Sequence, residues 1–245
     1  TDLDGTIIGS ANQLPLYVPF RDRIADLRRR HGAVWAVCTG RSLSEFRDYF
    51  TPMRMMGAAP DFVIARHAYI YSLSRFGYIP HLLWNAQIRY ILWVSHLSIH
   101  RAVEEWHEMV SHFSKGVTTV KKGRDRLWLR FDSEEAASAV AALLKEKVRP
   151  YHHLQVFKYL KEIDVRPVPF TKGLALSELA HHLGVDAGNI LAIGNGHNDI
   201  SMLDGRMAKM MGCPGNSEAE VKDVVHRANG HLATGTGGKS LLSSP

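Results

Sequence analysis

Asp2-Leu3-Asp4-Gly5-Thr6 sets two carboxylates two residues apart and follows them at once with a glycine and a hydroxyl. A pair so spaced can divide one reaction between a nucleophile and a proton-transfer group. If Asp2 ends a strand, a turn at Gly5 brings both side chains to one rim, Asp2 toward a reacting atom and Asp4 toward its leaving group. Asp-rich turns closed by glycine are also common structural devices, so the pentapeptide alone leaves both readings open.

Three later segments follow in the order a single active site needs. Ala33-Val34-Trp35-Ala36-Val37-Cys38 reads as a buried parallel strand running into Thr39-Gly40-Arg41-Ser42. Ser42 and Glu45 have capping-box spacing, which starts a helix here and brings its amides and Thr39 near the strand's C-terminal end. Thr171-Lys172-Gly173 opens an apolar helix that stops near Gly184, so Lys172 lies at a helix N-terminus. Asn189 to Ile193 is a short buried strand that delivers Gly194-Asn195-Gly196-His197-Asn198-Asp199 to a loop suited to a cation.

These four segments resemble the motifs of the haloacid dehalogenase-like phosphatase superfamily: an Asp-x-Asp-Gly-Thr turn, a Thr or Ser after the second strand, a lysine, and an Asp/Asn-rich loop. Gly212 to Lys222 resembles the superfamily's final strand and helix. The resemblance implies that Asp2 attacks phosphorus to give an aspartyl-phosphate, while Asp4 protonates the departing oxygen and later activates water. It also implies that Thr39, Gly40 and Lys172 bind the phosphoryl group. A magnesium ion is expected on Asp2, the Asp4 carbonyl, Asn195 and Asp199, supported by Asn198 and Arg41, with Arg41 read as a brace. Two ionised aspartates and a phosphoryl group repel one another in a partly dry cleft, so Lys172 and the metal must supply compensating charge.

Several positions depart from the pattern. Asn195 stands where many relatives have an aspartate, which keeps an oxygen ligand but removes a negative charge and predicts weaker metal binding or a metal position shifted toward Asp199. Only Thr1 precedes Asp2, so the apolar run of a central strand is missing; the expectation is that native residues precede those given. Arg66-His67, after the predicted strand Asp61 to Ala65, replaces a small Asn-Gly pair and is expected to narrow the cleft or contact substrate.

The chain has 245 residues, 45% hydrophobic and 22% charged, and is long enough for one or two cores. No apolar run reaches a membrane span and no signal peptide is visible. Cys38 and Cys213 stand far apart, which fits a reducing, cytoplasmic compartment and a packing role for Cys38. The net charge of +6 is scattered among acids and no nucleic-acid module appears, so no nucleic-acid or membrane partner is expected. The sequence carries no signal for oligomeric state.

Between roughly residues 80 and 166 the pattern changes to α-β-β-α-β-β. Gln87 to Phe113 is helix-like, Val117 to Val120 and Leu127 to Phe131 form a hairpin with Gly123 and Asp125 in its turn, Ser133 to Val148 is helical, and Leu154 to Lys158 and Glu162 to Arg166 are strands. This resembles the α/β cap of the branch containing sucrose-phosphate and mannosyl-phosphoglycerate phosphatases. The expected fold is therefore α/β: a Rossmann-like, doubly wound parallel core of residues 1–80 and 167–245, with an αββαββ cap at 81–166.

Lys115, Lys121, Lys122, Arg124, Arg126 and Arg130 face only Asp125 within 115–130 and read as a solvated hairpin, or as an attraction for an anionic substrate. His152-His153 and His181-His182 read as ordinary histidines and His197 as a loop-positioning residue. Met53, Met55 and Met56 read as loop filling, Ser217 with Glu220 as a capping box, and Gly230 to Gly238 as a flexible end. The expected activity is magnesium-dependent hydrolysis of a small-molecule phosphate ester, a sugar phosphate or related small metabolite. The alternatives are a sugar-phosphate mutase and a non-catalytic phosphatase-like sensor.

Overall fold

The computed structural model describes residues 1–8, 17–55, 57, 59–113, 116–122, 126–151, 154–167 and 171–236. The chain divides into two compact units, Thr1–Asn85 with Thr171–Pro245, and Ala86–Phe170. The first unit contains α1 (Tyr17–His31), β1 (Ala36–Cys38), α2 (Leu43–Met55), β2 (Phe62–Ala65), β3 (Tyr69–Ser74) and β4 (Gly77–Pro80). Its boundary with the second falls inside α3 (Leu82–Phe113), which is followed by β5 (Val117–Lys122), β6 (Leu127–Phe131), α4 (Glu134–Val148), β7 (Leu154–Tyr159) and β8 (Glu162–Pro167). The first unit resumes with α5 (Lys172–Leu183), β9 (Leu191–Ile193), α6 (Ile200–Leu203), β10 (Met210–Cys213), α7 (Ala219–Arg227) and β11 (His231–Leu232).

In the first unit one sheet has the order β1-β2-β3-β4, parallel between β1 and β2 and antiparallel beyond. A second, all-parallel sheet has the order β11-β10-β9. Thr1 and Asp2 connect them. Cys38 N–H donates to the Thr1 carbonyl at 2.8 Å, and Asp2 N–H donates to the Ile193 carbonyl at 2.7 Å. Two residues thus stand where a central strand belongs, between β1 and β9, and the neighbouring edges are closed at the level of Asp2. This is the point where strand order reverses, which is where doubly wound sheets bind ligands.

Alternate residues of one strand feed opposite cores, which makes the sheet two-sided. Val37 and Val63 pack with Phe20, Trp35, Phe46 and Met53. Cys38 and Ile64 pack with Ala175, Leu179, Met202, Met211 and Val221. Helices α1 and α2 therefore cover one face, and α5, α6 and α7 the other, giving the expected Rossmann-like arrangement.

Local signals explain the helix ends. Ser42 N–H donates to Glu45 Oε2 at 2.7 Å and Glu45 N–H donates back to Ser42 Oγ at 3.3 Å, the reciprocal bonds of a capping box. Thr171 Oγ1 accepts from Leu174 N–H at 3.2 Å to start α5, and Gly184, at φ 64°, ends it. Four expectations need correction. Ala33–Trp35 precede the strand, because the Trp35 N–H is taken by the Asp61 side chain at 2.8 Å. Met53 and Met55 lie in α2, Met53 fully buried and Met55 exposed, while Met56 lies outside the described residues. The N-cap of α7 is Glu218 and not Ser217, and no side-chain bond caps it. His231–Leu232 pair with β10 as a strand, where a flexible end is expected; residues 237–245 lie outside the described ones.

The second unit is the αββαββ arrangement. Its antiparallel sheet has the order β5-β6-β8-β7. Val103, Trp106 and Val110 of α3 and Ala141 and Leu144 of α4 pack on Leu127, Leu129, Val156, Ile163 and Val165. The basic residues of the first hairpin have partners: Lys122 pairs with Glu104 at 3.3 Å, Arg126 with Asp164 at 2.7 Å, and Lys121 lies over the Trp128 ring at 5.3 Å. Lys115, the expected turn at Gly123 and Asp125, Arg124 and His152-His153 lie outside the described residues. His182 meets His81, ring nitrogens 3.2 Å apart. Among the described residues no helix is long and apolar enough to cross a membrane.

Candidate active site

Asp2 ends the two-residue central segment, so its side chain emerges at the C-terminal rim of the sheet. Lys172, in the first turn of α5, reaches the same point from the other side of the chain. Its Nζ donates to Asp2 Oδ1 at 2.5 Å and to Asp199 Oδ1 at 2.5 Å. All three side chains are buried. One cation between two carboxylates leaves a negative charge uncompensated. Burial alone would push the Lys172 ammonium down, but the charges of Asp199 and Asp2 overcome it and hold the group well above the usual lysine range. Asp2 receives only half of that lysine: burial, and then the Asp199 charge, push its carboxyl up to about 6 against the pull of Lys172.

The other Asp2 oxygen belongs to a separate cluster. Thr6 Oγ1 donates to Asp2 Oδ2 at 3.1 Å. The Asn195 amide nitrogen, oriented by its acceptors, faces Asp2 Oδ2 at 3.1 Å, the Asp4 carbonyl at 2.9 Å and Thr6 Oγ1 at 2.9 Å. Gly5 makes this approach possible. It turns at φ 81°, and a Cβ there would stand 2.5 Å from the end of the Asn195 side chain. The Gly5 carbonyl accepts from Asn216 Nδ2 at 2.9 Å, which ties the turn to the end of β10. Oxygens converging on a donor make a place for positive charge; the Asp2 carboxylate and the Asp4 carbonyl, joined by the Asn195 oxygen when that amide turns over, suit a hard divalent ion such as magnesium. Among the described residues no group of three His, Cys, Asp or Glu is disposed for a metal, so such an ion depends on the carbonyl and the amide.

Asp199, which the resemblance implies as a metal ligand, is bonded here to protein groups. Its Oδ1 takes Lys172, and its Oδ2 accepts from Asn195 N–H at 2.9 Å and Gly196 N–H at 3.0 Å. Both oxygens are occupied in anchoring the lysine and the loop. Asn198 lies half-buried beside it in the 3-10 turn His197–Asp199. His197 fixes the same loop, its N–H donating to Glu218 Oε1 and its ring meeting Glu220 Oε2, both at 3.0 Å.

Thr39 follows Cys38, the parallel neighbour of Asp2, and is fully buried; Gly40 is exposed. Thr39 Oγ1 accepts from Arg41 N–H at 3.1 Å. The Arg41 guanidinium grips Asp4 with both arms, Nη2 to Oδ1 at 2.8 Å and Nε to Oδ2 at 2.9 Å, and stacks over the Tyr49 ring at 4.8 Å. Asp4 is thereby held at the rim, about half exposed, apart from the buried Asp2. The sequence reading missed the parts of Thr6, Asn216 and Ser201, whose Oγ accepts from Gly173 N–H at 3.0 Å. Only Thr6 had a usable signal, as the hydroxyl closing the first motif.

A sequence model of the family described as Sucrose-6F-phosphate phosphohydrolase matches residues 1–240. No curated protein sequence matches the chain. Among solved structures, the chain is similar to the sucrose-phosphatase of Synechocystis sp. PCC6803, in complex with sucrose and phosphate, at 19% identity and TM-score 0.73, covering 98% of this chain and 93% of that one. It is also similar to the trehalose-6-phosphate phosphatase of Aspergillus fumigatus at 17% identity and TM-score 0.55, covering 93% and 89%. The phosphatase BT1666 of Bacteroides thetaiotaomicron, from the haloalkanoate superfamily, matches at 22% identity and TM-score 0.57, covering 98% and 90%. These likenesses establish the haloacid dehalogenase-like fold, and the family match extends over nearly the whole length. The chain belongs to the Sucrose-6F-phosphate phosphohydrolase family and is a phosphoric monoester hydrolase.

Proposed function

We propose that this phosphatase hydrolyses a sugar phosphate through an aspartyl-phosphate on Asp2, with sucrose 6F-phosphate the first substrate to test because its family carries that name. The observation that carries the proposal is the buried contact of Lys172 with both Asp2 and Asp199 at 2.5 Å. Asp2 attacks phosphorus, and the bond to the leaving oxygen breaks. Asp4 gives that oxygen a proton and later takes one from the water that cleaves the acyl phosphate. Arg41 holds Asp4 ready at the rim.

Lys172, the Thr39 hydroxyl and the Gly40 amide bind the phosphoryl oxygens, and the lysine offsets their charge where water is scarce. Asp2, the Asp4 carbonyl and, with its amide turned over, the Asn195 oxygen would hold magnesium, with Asp199 anchoring the loop. When bound, the ion supplies the positive charge that one lysine shared between two aspartates lacks. The αββαββ unit, which resembles the cap of this branch, would select among leaving groups. Two buried free thiols support a reducing, cytoplasmic setting.

The test is phosphate release from a panel of sugar phosphates with magnesium. Asp2→Asn should abolish release while circular dichroism and the melting temperature report an intact fold. An Asp2→Asn protein as active as the wild type refutes the nucleophile.

A further inference from the structure

Arg66 and His67 follow β2 in the left-handed backbone region, at φ 49° and 63°. Side chains disfavour that region, and where two such residues occur in succession the conformation is kept for a reason. Here it directs two successive N–H groups at one loop: Arg66 N–H donates to the Arg41 carbonyl at 2.8 Å and His67 N–H to the Thr39 carbonyl at 3.0 Å. Ala68 N–H closes the turn on the Ala65 carbonyl at 3.0 Å.

The imidazole fills the space between those bonds. A Cβ built on Gly40 would stand 2.9 Å from His67 Nε2 and 3.0 Å from Cε1, so the buried ring lies directly against the Gly40 backbone. Thr39, Gly40 and Arg41 are each held in turn, the outer two by their carbonyls and the middle one by the ring. A glycine at position 67 would keep both N–H bonds and adopt the left-handed conformation without steric cost. Glycine would relieve the backbone strain but empty the space against Gly40. The side chain thus bears a backbone cost while it presses on the Thr39–Arg41 loop.

We propose that Arg66-His67 is a strained clamp that positions the Thr39-Gly40-Arg41 loop for phosphoryl transfer. His67 is a positioning residue, acting through Gly40 on Thr39 and, through Arg41, on Asp4. This rests on the reading of Thr39 and Gly40 as phosphoryl-binding groups. Because small misplacements of groups around a reacting centre cost rate more than binding, the clamp should affect kcat before KM.

The experiment compares the wild type with His67→Gly and His67→Asn, asparagine being the side chain that best tolerates the left-handed region. His67→Gly should melt close to the wild-type temperature, relief of backbone strain offsetting the lost packing, while kcat on sucrose 6F-phosphate falls about ten- to a hundredfold, with KM changed far less. His67→Asn should recover part of the loss. Hydrogen exchange at the Arg41 amide, which is bonded to Thr39 Oγ1 at 3.1 Å, should be faster in His67→Gly. A His67→Gly protein with wild-type kcat, or one whose activity falls only in step with its melting temperature, overturns the clamp. If even the wild type releases no phosphate from any ester, the aspartyl-phosphate reading fails and the clamp is decided by exchange: faster at Arg41 in His67→Gly upholds it, unchanged overturns it.

Discussion

The Lys172 ammonium meets the Asp2 carboxylate at 2.5 Å, although 170 residues separate them in the chain. The same nitrogen holds Asp199, so one buried cation supports two anions, Asp2 of the central segment and Asp199 from the loop after β9. Removing one partner from such a group leaves the others charged, buried and unpaired, which is far more damaging than never having built it.

Lys172→Met should therefore lower stability by about 3–5 kcal/mol and abolish turnover. Measured with chelator present, the wild type should already lose stability as pH rises. The folded-state value of Asp2, about 6, lies above the ordinary carboxyl value, so folding favours the protonated form. That contribution is complete below the ordinary value and is lost as pH rises through about 6. In Lys172→Met the decline should steepen. Urea titrations at pH 5 and pH 8 showing equal losses for variant and wild type would sink this account.

Asn195 presents its amide nitrogen to the Asp2 Oδ2, Asp4 carbonyl and Thr6 oxygens. Asn195→Asp replaces that donor with a third anion. Without magnesium the variant should melt below the wild type, and added magnesium should raise its melting temperature by more than it raises the wild type's. Thermal shifts across a magnesium titration give the answer independently of activity. Identical magnesium responses in the two proteins would remove the ion from this place.

Gly173 sets the distance between α5 and α6. A Cβ on it would stand 2.0 Å from the Ser201 carbonyl oxygen and 2.5 Å from its carbon, both backbone atoms. Gly173→Ala must push the helices apart and should cost about 3 kcal/mol. Gly188→Ala, where nothing lies within 4 Å, serves as the control and should be close to neutral. Equal melting temperatures for the two variants would show that α5 can shift without penalty.

Elements fixed by neighbours in sequence were legible in advance. The Ser42–Glu45 box, the Thr171 cap and the Gly184 stop each depend on bonds within one or two turns, and each formed as spaced. The αββαββ order was readable because hydrophobic periodicity differs between its helices and its strands. Strand β1 fell short of its apolar run because a side chain from residue 61 takes the Trp35 N–H, a contact with no local signature. Met53 misled for a related reason: Pro52 and Gly57 suggest a loop, yet burial of Met53 in the core beneath the sheet holds the segment helical.

By itself the sequence determined which groups are available for chemistry and in what order the chain delivers them: Asp2 and Asp4, Thr39, Lys172, then Asn195 and Asp199. Only the tertiary structure decided how those groups share their bonds. It gave both Asp199 oxygens to the lysine and the loop, set Asn195 on the oxygens of Asp2 and Asp4, and pressed His67 onto Gly40. Spacing along a helix or strand constrains residues a few positions apart, whereas the meeting of side chains from distant segments is set by how two faces of one sheet are packed.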